Sequence, residues 1–127
     1  MNIFGIGTDI VSVDRLKKSL KNKKFISRIF NEKEIFKCKK NNNSVNCYAK
    51  RFAAKEAFSK ALGTGISNGI NFNEIVVLNK KSGKPYISII GQTRKILKKK
   101  FKRKKSKISL SLSDEKKYAV AFVTISL

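Results

Sequence analysis

The stretch NCYAKRFAAKEAFSKAL, residues 46–62, decides the fold of this chain. It is rich in alanine and contains neither glycine nor proline, so its intrinsic helix propensity is high throughout. Gly63 and Gly65 follow it, and glycine is the usual residue just past the end of a helix. The sequence therefore predicts one principal helix here, against which the remaining elements pack.

The segment before this helix combines a strand pattern with two helix patterns. Apolar residues and paired glycines over 1–10 predict a strand, and apolar residues at helical spacing predict a helix over 11–20. Asn31 with Glu34 three residues later is typical of a helix N-cap with its returning acid. This pair predicts a short helix that runs toward Lys39.

Beyond the principal helix the apolar pattern becomes that of strands. Strands are predicted over 75–78, 86–90, 108–112 and 118–126, and a helix over 92–101. The third of these strands alternates serine with apolar residues, which predicts one polar and one buried face. The last strand is apolar on both sides, which predicts a central position or a subunit contact. The patterns together predict an α+β fold, in the broad α/β sense, as a single domain over 1–127 with a mostly antiparallel sheet packed on the long helix.

Composition is typical of a folded chain, with 41% hydrophobic and 30% charged residues. No apolar run approaches the roughly 20 residues that cross a bilayer, and no basic region precedes a signal-peptide core at the N-terminus. We therefore expect a cytoplasmic protein with no membrane partner. Cys38 and Cys47 fit neither a CxxC metal motif nor a dense disulfide framework, and we expect them to be reduced thiols.

The net charge of +22, from 30 Lys and Arg against 8 Asp and Glu, attracts polyanions. Three classes of partner fit this charge: nucleic acid, an acidic protein, or a phosphate-rich small molecule. Lysine and asparagine dominate together, as in KKKFKRKKSK at 98–107, and an AT-rich coding bias produces the same composition. The charge alone therefore does not identify the partner.

Two acids, Asp9 and Glu56, stand in apolar surroundings that do not explain them. Asp9 ends the first strand and Glu56 lies inside the alanine-rich helix, and an ionised carboxylate in such a place needs a partner. The partner is either a cation such as Lys60, one helical turn beyond Glu56, or a metal ion. Mg²⁺ takes oxygen ligands and typically uses one or two carboxylates with substrate phosphates. The other acids look ordinary: Glu34 is among those in polar or capping settings, and Glu74 lies among strand residues near a turn.

If Glu56 binds a metal, Lys60 and Arg51 on the same helix are candidate phosphate contacts.

Several other chemistries are excluded by the sequence. The loop at 63–65 lacks the GxxxxGK pattern of a P-loop, and the glycines at 5–7 lack the third glycine of a dinucleotide fingerprint. The chain has no histidine, which excludes Ser-His-Asp and Cys-His catalysis. Proton transfer must therefore use a carboxylate, lysine, tyrosine or metal-bound water.

Four segments resemble the holo-acyl-carrier-protein synthase family of 4′-phosphopantetheinyl transferases. They are GIGTDIV at 5–11, KRFAAKEAFSKALGTGI at 50–66, SGKPYISI at 82–89 and SLSDEKKYAVAFV at 111–123. The likeness covers essentially the whole chain, in order. It implies Mg²⁺-dependent transfer of 4′-phosphopantetheine from coenzyme A to a serine of apo acyl carrier protein, with release of adenosine 3′,5′-bisphosphate, in fatty acid biosynthesis.

The resemblance also implies roles for individual residues. Asp9, Glu56 and Lys60 match the family's catalytic residues: the two acids coordinate Mg²⁺ with the pyrophosphate of coenzyme A, and Lys60 lies near that pyrophosphate. Glu56, directly or through a bound water, is the candidate acceptor of the serine proton. Arg51 matches an arginine near another coenzyme phosphate. The other implied coenzyme A contacts are Gly63, Gly65, Gly83, Lys84 and Pro85.

The same resemblance implies partners. Similar enzymes are trimers with active sites between subunits, and they have no nucleic acid partner. In them the helix after the first acid docks the acidic carrier protein, which here implies docking through Arg15, Lys18, Lys21, Phe25 and Arg28, with Lys17 on the same helix. One departure stands out, because Ser109 occupies a position where family members often have histidine. Lys107, two residues earlier, is a candidate replacement for a cationic phosphate contact but a poor base at neutral pH.

Two other functions fit parts of the sequence. A small basic RNA-binding protein fits the segment 98–107, but the chain lacks a recognised RNA-binding motif and this reading leaves Asp9 and Glu56 unexplained. A transferase-like fold that has lost activity and serves as a binding module fits the serine at position 109.

Overall fold

A computed structural model describes residues 1–63 and 69–127 of the chain. Within these residues the elements occur in the order β1 (Ile3–Ser12), α1 (Val13–Ser19), α2 (Lys23–Ile29), α3 (Glu32–Lys40), α4 (Ser44–Leu62), a 3₁₀ turn (Phe72–Glu74), β2 (Ile75–Asn79), β3 (Pro85–Ile89), α5 (Gly91–Lys100), β4 (Lys107–Asp114) and β5 (Tyr118–Ser126). In these parts of the chain, no helix is both long and apolar enough to cross a membrane.

Helix α4 is the predicted principal helix, and it is buried on nearly every side rather than along one stripe. Its alanines leave room for strand β1 to approach the helix main chain. A Cβ atom at Gly5 would meet the carbonyl of Ala61, and one at Gly7 would meet the carbonyl of Ala57 and the amide of Ala61. Two glycines in the strand and two alanines in the helix thus allow the main chains of β1 and α4 to touch.

The main sheet is antiparallel and has the strand order β1-β5-β4. The last strand of the chain is therefore the central strand, as its two-sided apolar pattern predicted. On one face of β5, Ala119, Ala121, Val123 and Ile125 are buried in the core. On the other face Val120 and its neighbours are exposed, so the outer surface of this sheet is apolar.

Strands β2 and β3 form a second, two-stranded antiparallel sheet with the register Ile75↔Ile89 to Asn79↔Pro85. The α+β class and the antiparallel arrangement are confirmed, with the strands divided between two sheets. The turn between β2 and β3 contains Gly83 at φ +93°, a conformation that glycine adopts without a steric cost.

Helices α2 and α3 begin at asparagine caps. The side chain of Asn22 accepts hydrogen bonds from the amides of Lys24 and Phe25, which starts α2, a helix that the apolar pattern did not predict. At α3 the predicted capping box is present, since Glu34 accepts from the amide of Asn31 at 2.9 Å.

The assignment of Glu34 to a capping role alone was wrong. Its carboxylate is buried and forms an ion pair with buried Lys55 of α4, at 2.7 Å, and accepts from the amide of Val77 at 3.0 Å. Lys55 also donates to the carbonyls of Phe72 and Ile75. Burial lowers the pKa of Lys55 to about 8, although Glu34 opposes this shift. The pair joins α3, α4 and β2 inside the core.

The expectation of two reduced cysteines was also wrong, because Cys38 of α3 and Cys47 of α4 form a disulfide with their Cα atoms 5.4 Å apart. The chain reverses between these two helices, which brings residues nine positions apart face to face. The sequence could not reveal this, since the geometry of the connecting loop is not encoded in the cysteine spacing.

Glu74, which looks ordinary in the sequence as an acid among strand residues near a turn, has a structural role. Its carboxylate accepts from the amides of Gln92 and Thr93 at 2.9 and 3.1 Å, and from the Thr93 hydroxyl at 2.8 Å. It thereby caps the start of α5 from outside the helix. Burial raises the pKa of Glu74, but the hydrogen bonds from Thr93, Asn71 and Gln92 outweigh it and hold the pKa below its usual value.

Candidate active site

Asp9 and Glu56 line the same groove, which has a volume of about 370 Å³. Asp9 comes from β1, just past the point where Gly7 rests on α4, and Glu56 comes from α4 itself. Arg15 of α1 and Phe25 of α2 also line this groove. The fold thus brings together two acids that are far apart in the sequence, and places a cation and an aromatic ring beside them.

The charge balance in this groove differs from the simplest expectation. Lys60 does not pair with Glu56 along the helix in the described structure. Its Nζ lies 3.0 Å from Oδ1 of Asp9 and donates to the carbonyl of Thr8, also at 3.0 Å. Burial and the charge of Asp9 raise the pKa of Glu56, while Lys60 opposes this rise. The ionised form of Glu56 is therefore disfavoured by its burial and by the neighbouring acid.

The donor set of the groove suits one kind of metal. The described parts of the chain contain no cluster of three or more His, Cys, Asp or Glu side chains that could hold an ion by themselves. Two carboxylates in an open groove are the ligands typical of Mg²⁺, which takes its remaining ligands from water and substrate phosphates. The residues present at Asp9 and Glu56 therefore fit Mg²⁺.

Arg51 lies away from this groove, in a separate cluster around Asn79 at the end of β2. Its guanidinium is buried, donates to Oδ1 of Asn79 at 2.9 Å, and donates to the carbonyl and Sγ of Cys47 at 3.3 Å. Asn79 in turn donates to the carbonyl of Gly83 at 2.9 Å, and Lys37 donates to Asn79 at 2.6 Å. Asn79 and Lys37 were not predicted from the sequence, because neither a neutral amide nor one lysine among many marks a residue as part of a binding site.

The other implied coenzyme A contacts fall at two loops. Gly63 ends α4 at φ +80°, the left-handed conformation of a helix C-terminus. Gly65 lies outside the described residues. Lys84 is exposed in the turn that contains Gly83, and Pro85 begins β3. The hydrogen bond from Asn79 joins this turn to Arg51, so the structure connects two parts of the implied set.

The implied carrier-docking residues fall into two groups. Arg15 and Phe25 line the groove with the two acids, and Phe25 packs against Phe52 of α4 with ring centroids 5.9 Å apart. The remaining members are exposed on α1, on α2 and between them: Lys17, Lys18, Lys21 and Arg28.

Ser109 and Lys107 lie on the exposed face of β4, as the alternation in this strand predicted. Ser109 pairs with Thr124 of β5, and Lys107 pairs with Ser126. The cation at position 107 therefore shares the strand face of Ser109.

Known proteins resemble this chain over nearly its full length. The model of the 4′-phosphopantetheinyl transferase superfamily matches residues 5–123. A holo-[acyl-carrier-protein] synthase of Pelagibacter ubique is 52% identical over 125 residues, covering 98% of each chain.

Solved structures agree with the sequence comparison. The crystal structure of holo-[acyl-carrier-protein] synthase from Neisseria meningitidis superposes with a TM-score of 0.86 at 38% identity, covering 98% of this chain and 99% of that one. A synthase from Bacillus anthracis, solved in complex with CoA (3′,5′-ADP), has a TM-score of 0.79 at 37% identity and covers 98% of this chain and 97% of its own. The chain belongs to the 4′-phosphopantetheinyl transferase superfamily and, within it, to the holo-[acyl-carrier-protein] synthases.

Proposed function

We propose that this protein transfers the 4′-phosphopantetheine group of coenzyme A to a serine of apo acyl carrier protein, in a Mg²⁺-dependent reaction of fatty acid biosynthesis in the cytoplasm. The observation that carries the proposal is the groove that Asp9 and Glu56 share with Arg15 and Phe25. It combines an acidic pair suited to a divalent cation with a cation and an aromatic ring suited to an acidic protein partner.

In this proposal Asp9 and Glu56 hold Mg²⁺. When bound, Mg²⁺ would neutralise the negative charge that develops on the leaving phosphate. The Lys60 side chain is 57% exposed, so its ammonium group can move from Asp9 to an oxygen of the coenzyme pyrophosphate. Asp9 and Lys60 then have different electrostatic partners in the free and substrate-bound protein.

The reaction forms one bond and breaks another. The serine oxygen of the carrier attacks the phosphorus that bears the pantetheine group, and the bond from that phosphorus to adenosine 3′,5′-bisphosphate breaks. The proton of the serine passes to Glu56, directly or through a water molecule. Glu56 is the candidate acceptor because it lines the groove that the carrier's serine would enter.

The second coenzyme-binding region in this proposal is the turn at Gly83, Lys84 and Pro85 together with Arg51. Asn79 links the turn to Arg51, because its amide oxygen accepts from the guanidinium and its amide nitrogen donates to the carbonyl of Gly83. We assign the adenine to the turn and a coenzyme phosphate to Arg51. Gly63, Gly65 and the cation Lys107 complete the proposed set of coenzyme contacts.

We further propose that the protein assembles as a trimer through the outer face of the main sheet. This face exposes large apolar side chains, which a soluble monomer rarely leaves together. They are Ile6 and Ile10 of β1 and Tyr118, Val120 and Phe122 of β5. Ile10 and Val120 are paired across the two strands, so the apolar surface is continuous. Light scattering on the purified protein is expected to give the mass of three chains, and Val120→Lys is expected to give a smaller species.

The activity is tested with coenzyme A, Mg²⁺ and an apo acyl carrier protein, with the mass of the carrier as the readout. The mass of the carrier is expected to increase by that of the phosphopantetheine group. If it does not increase at saturating Mg²⁺, the proposed transferase activity is refuted. Asp9→Asn and Glu56→Gln are expected to abolish transfer. Asp14→Asn, which removes an exposed acid of α1 that does not line the groove, is the matched control and is expected to remain active.

Carrier docking is tested by ionic strength. Because Arg15, Lys18, Lys21 and Arg28 are proposed to meet an acidic carrier with Phe25 as an apolar contact, the KM for the carrier is expected to rise with salt. The KM for coenzyme A serves as the internal comparison. Arg15→Ala is expected to weaken carrier binding more than Lys23→Ala, a substitution outside the proposed docking set.

A further inference from the structure

A groove at the end of α5 is lined almost entirely by cations. Its volume is about 670 Å³, and the one neutral residue among its described lining residues is Ser106. We call it the α5 groove. Its cations come from the helix and from the loop that follows, and all are exposed: Lys95, Lys98, Lys99, Arg103, Lys104 and Lys105. None of them has a role in the proposed function.

No carboxylate of the described residues neutralises the α5 groove. The ion pairs that the structure describes lie elsewhere, at Asp9, Glu34 and Asp114. The sequence contains no Asp or Glu between Glu74 and Asp114, and Glu74 is engaged at the opposite end of α5. Cations at neighbouring helix positions repel one another, so the groove concentrates positive potential that a bound anion would relieve.

The loop reaches the groove through an unfavourable backbone. Lys102 and Arg103 have φ values of 51° and 62°, a left-handed conformation that costs free energy for any residue with a Cβ atom. Their amides donate to the carbonyls of Lys99 and Lys98 at 3.0 and 2.9 Å, which folds the loop back onto the last turn of α5. Glycine or asparagine suits such positions best. A coding bias toward lysine and asparagine supplies asparagine as readily as lysine, so the two cations point to a requirement for charge.

The lining of the α5 groove discriminates between classes of polyanion. A protein partner needs apolar or aromatic anchors, and the described lining contributes none. A helix that binds a bilayer buries an apolar face in it, whereas Leu97 and Phe101 of this region are already buried in the core. Phosphates of a nucleic-acid backbone are contacted chiefly by lysine and arginine, which is the composition of the groove.

The size of the groove limits the ligand to one strand. Its volume of about 670 Å³ is that of a site for one small molecule, roughly 300–1,000 Å³, and is too small to admit a duplex. Bases of a bound strand are held by stacking on aromatic rings or by hydrogen bonds to their edges. The described lining contains no aromatic ring, so its contacts are with the phosphates.

We propose that the α5 groove binds a single nucleic-acid strand through its phosphates, without selecting its bases. This inference goes beyond the proposed function, which involves no nucleic acid. It assigns a role to the most basic segment of the chain, which the transferase site does not use.

Fluorescence anisotropy with a labelled oligouridylate of about 12 nucleotides tests the inference. For single strands the logarithm of the association constant falls by about 0.7 per contacted phosphate for each tenfold rise in salt, so six contacts predict a slope of about −4. The groove variant combines Lys98→Gln, Lys99→Gln and Lys104→Gln. Its slope is expected to be shallower by about 2. Each lost contact contributes about fivefold at 0.1 M salt relative to 1 M, so binding at 0.1 M is expected to weaken at least about tenfold.

The matched control removes the same net charge from exposed positions of α2 and α3. It combines Lys23→Gln, Lys24→Gln and Lys33→Gln, and is expected to change the affinity by less than about twofold, because distant exposed charges are screened by salt. Equal losses in the two triple variants would show that binding depends on net charge alone and would overturn the inference. Undiminished binding by the groove variant would overturn it as well.

Arg103→Gly separates binding from stability. Glycine tolerates the left-handed backbone at this position, so the denaturant midpoint is expected not to fall, while the affinity for the oligouridylate is expected to fall by about fivefold. An unchanged affinity in this variant counts against the groove. Vesicles of phosphatidylglycerol and phosphatidylcholine provide the comparison with a membrane. If the groove variant loses affinity for vesicles by the same factor as for the oligouridylate, the groove is a general anionic-surface site and the inference is overturned.

Phosphopantetheine transfer keeps this test distinct from that of the proposed function. The groove variant is expected to transfer at the wild-type rate, because none of its three lysines belongs to the proposed site. Weak oligouridylate binding with intact transfer supports the inference. If transfer also falls, the triple substitution has disturbed the fold, and the result for Arg103→Gly decides.

Discussion

Replacing Lys55 with methionine tests how the buried ion pair supports the fold. The substitution leaves the Glu34 carboxylate buried with the amides of Asn31 and Val77 as donors and without its counter-charge. Removing one partner of a buried pair typically costs about 3–5 kcal/mol of unfolding free energy. With unfolding entropy near 2.1 cal/mol/K per residue, a chain of 127 residues loses about 4 °C of Tm per kcal/mol, so the expected fall is about 11–19 °C.

The assay is thermal unfolding followed by circular dichroism, at one fixed protein concentration because self-association also changes Tm. The control is Lys50→Met, which applies the same substitution on the same helix to the half-exposed pair with Asp114. An exposed pair contributes at most about 1 kcal/mol, so Tm is expected to fall by less than about 4 °C.

A double variant, Lys55→Met with Glu34→Gln, removes both charges and is expected to recover part of the lost stability, because no unpaired charge then remains in the core. Equal falls in Tm for Lys55→Met and Lys50→Met would refute the reasoning.

Three further predictions follow from individual contacts. Gly7→Ala places a Cβ against the main chain of α4 and is expected to cost about 3 kcal/mol of unfolding free energy or more, whereas a Cβ at Gly63 meets no atom of the described residues and Gly63→Ala is expected to cost about 1–2 kcal/mol for its left-handed backbone; denaturant titration compares them. The lowered pKa of Glu74 stabilises the fold above the usual glutamate pKa of about 4.3, and this contribution is lost as pH falls through the folded-state pKa; Glu74→Gln is therefore expected to flatten the loss of unfolding free energy in acid, and an unchanged slope relative to wild type and to a Glu115→Gln control would contradict the cap. The disulfide predicts that an alkylating reagent labels neither Cys38 nor Cys47 in denatured, unreduced protein and labels both after reduction; double labelling without reductant, detected by mass spectrometry, would show that the bond is absent.

The secondary structure was predictable where its signals are local. The alanine-rich composition of α4, the capping box of α3 and the period of two in β4 each depend on residues close in sequence. Helix α2 was missed because its first turn is lysine-rich and its start depends on a single asparagine cap at Asn22. The main sheet joins the first and last strands of the chain, and that pairing has no local signal.

The candidate site was predictable only in part from the residues themselves. Local surroundings marked Asp9 and Glu56 as acids in need of a partner, but only the family resemblance made them a pair. The same reasoning overlooked Glu34, since its capping role explained the residue before its burial against Lys55 was known. Whether a charge in a helix faces water or the core depends on which elements cover it, and a helix as buried as α4 has no polar face that would reveal this.

The contact of Gly5 and Gly7 with the α4 main chain also limits how this site can change. The separation between the backbone at Asp9 and the backbone at Glu56 is set by two main chains in direct contact, with no side chains between them to enlarge or trim. Selection for a different ion or a longer reach must therefore act through the acids themselves, for example by exchanging aspartate and glutamate. The separation of the β1 and α4 main chains is therefore fixed, and the distance between the two carboxylates changes through the length of the acidic side chains.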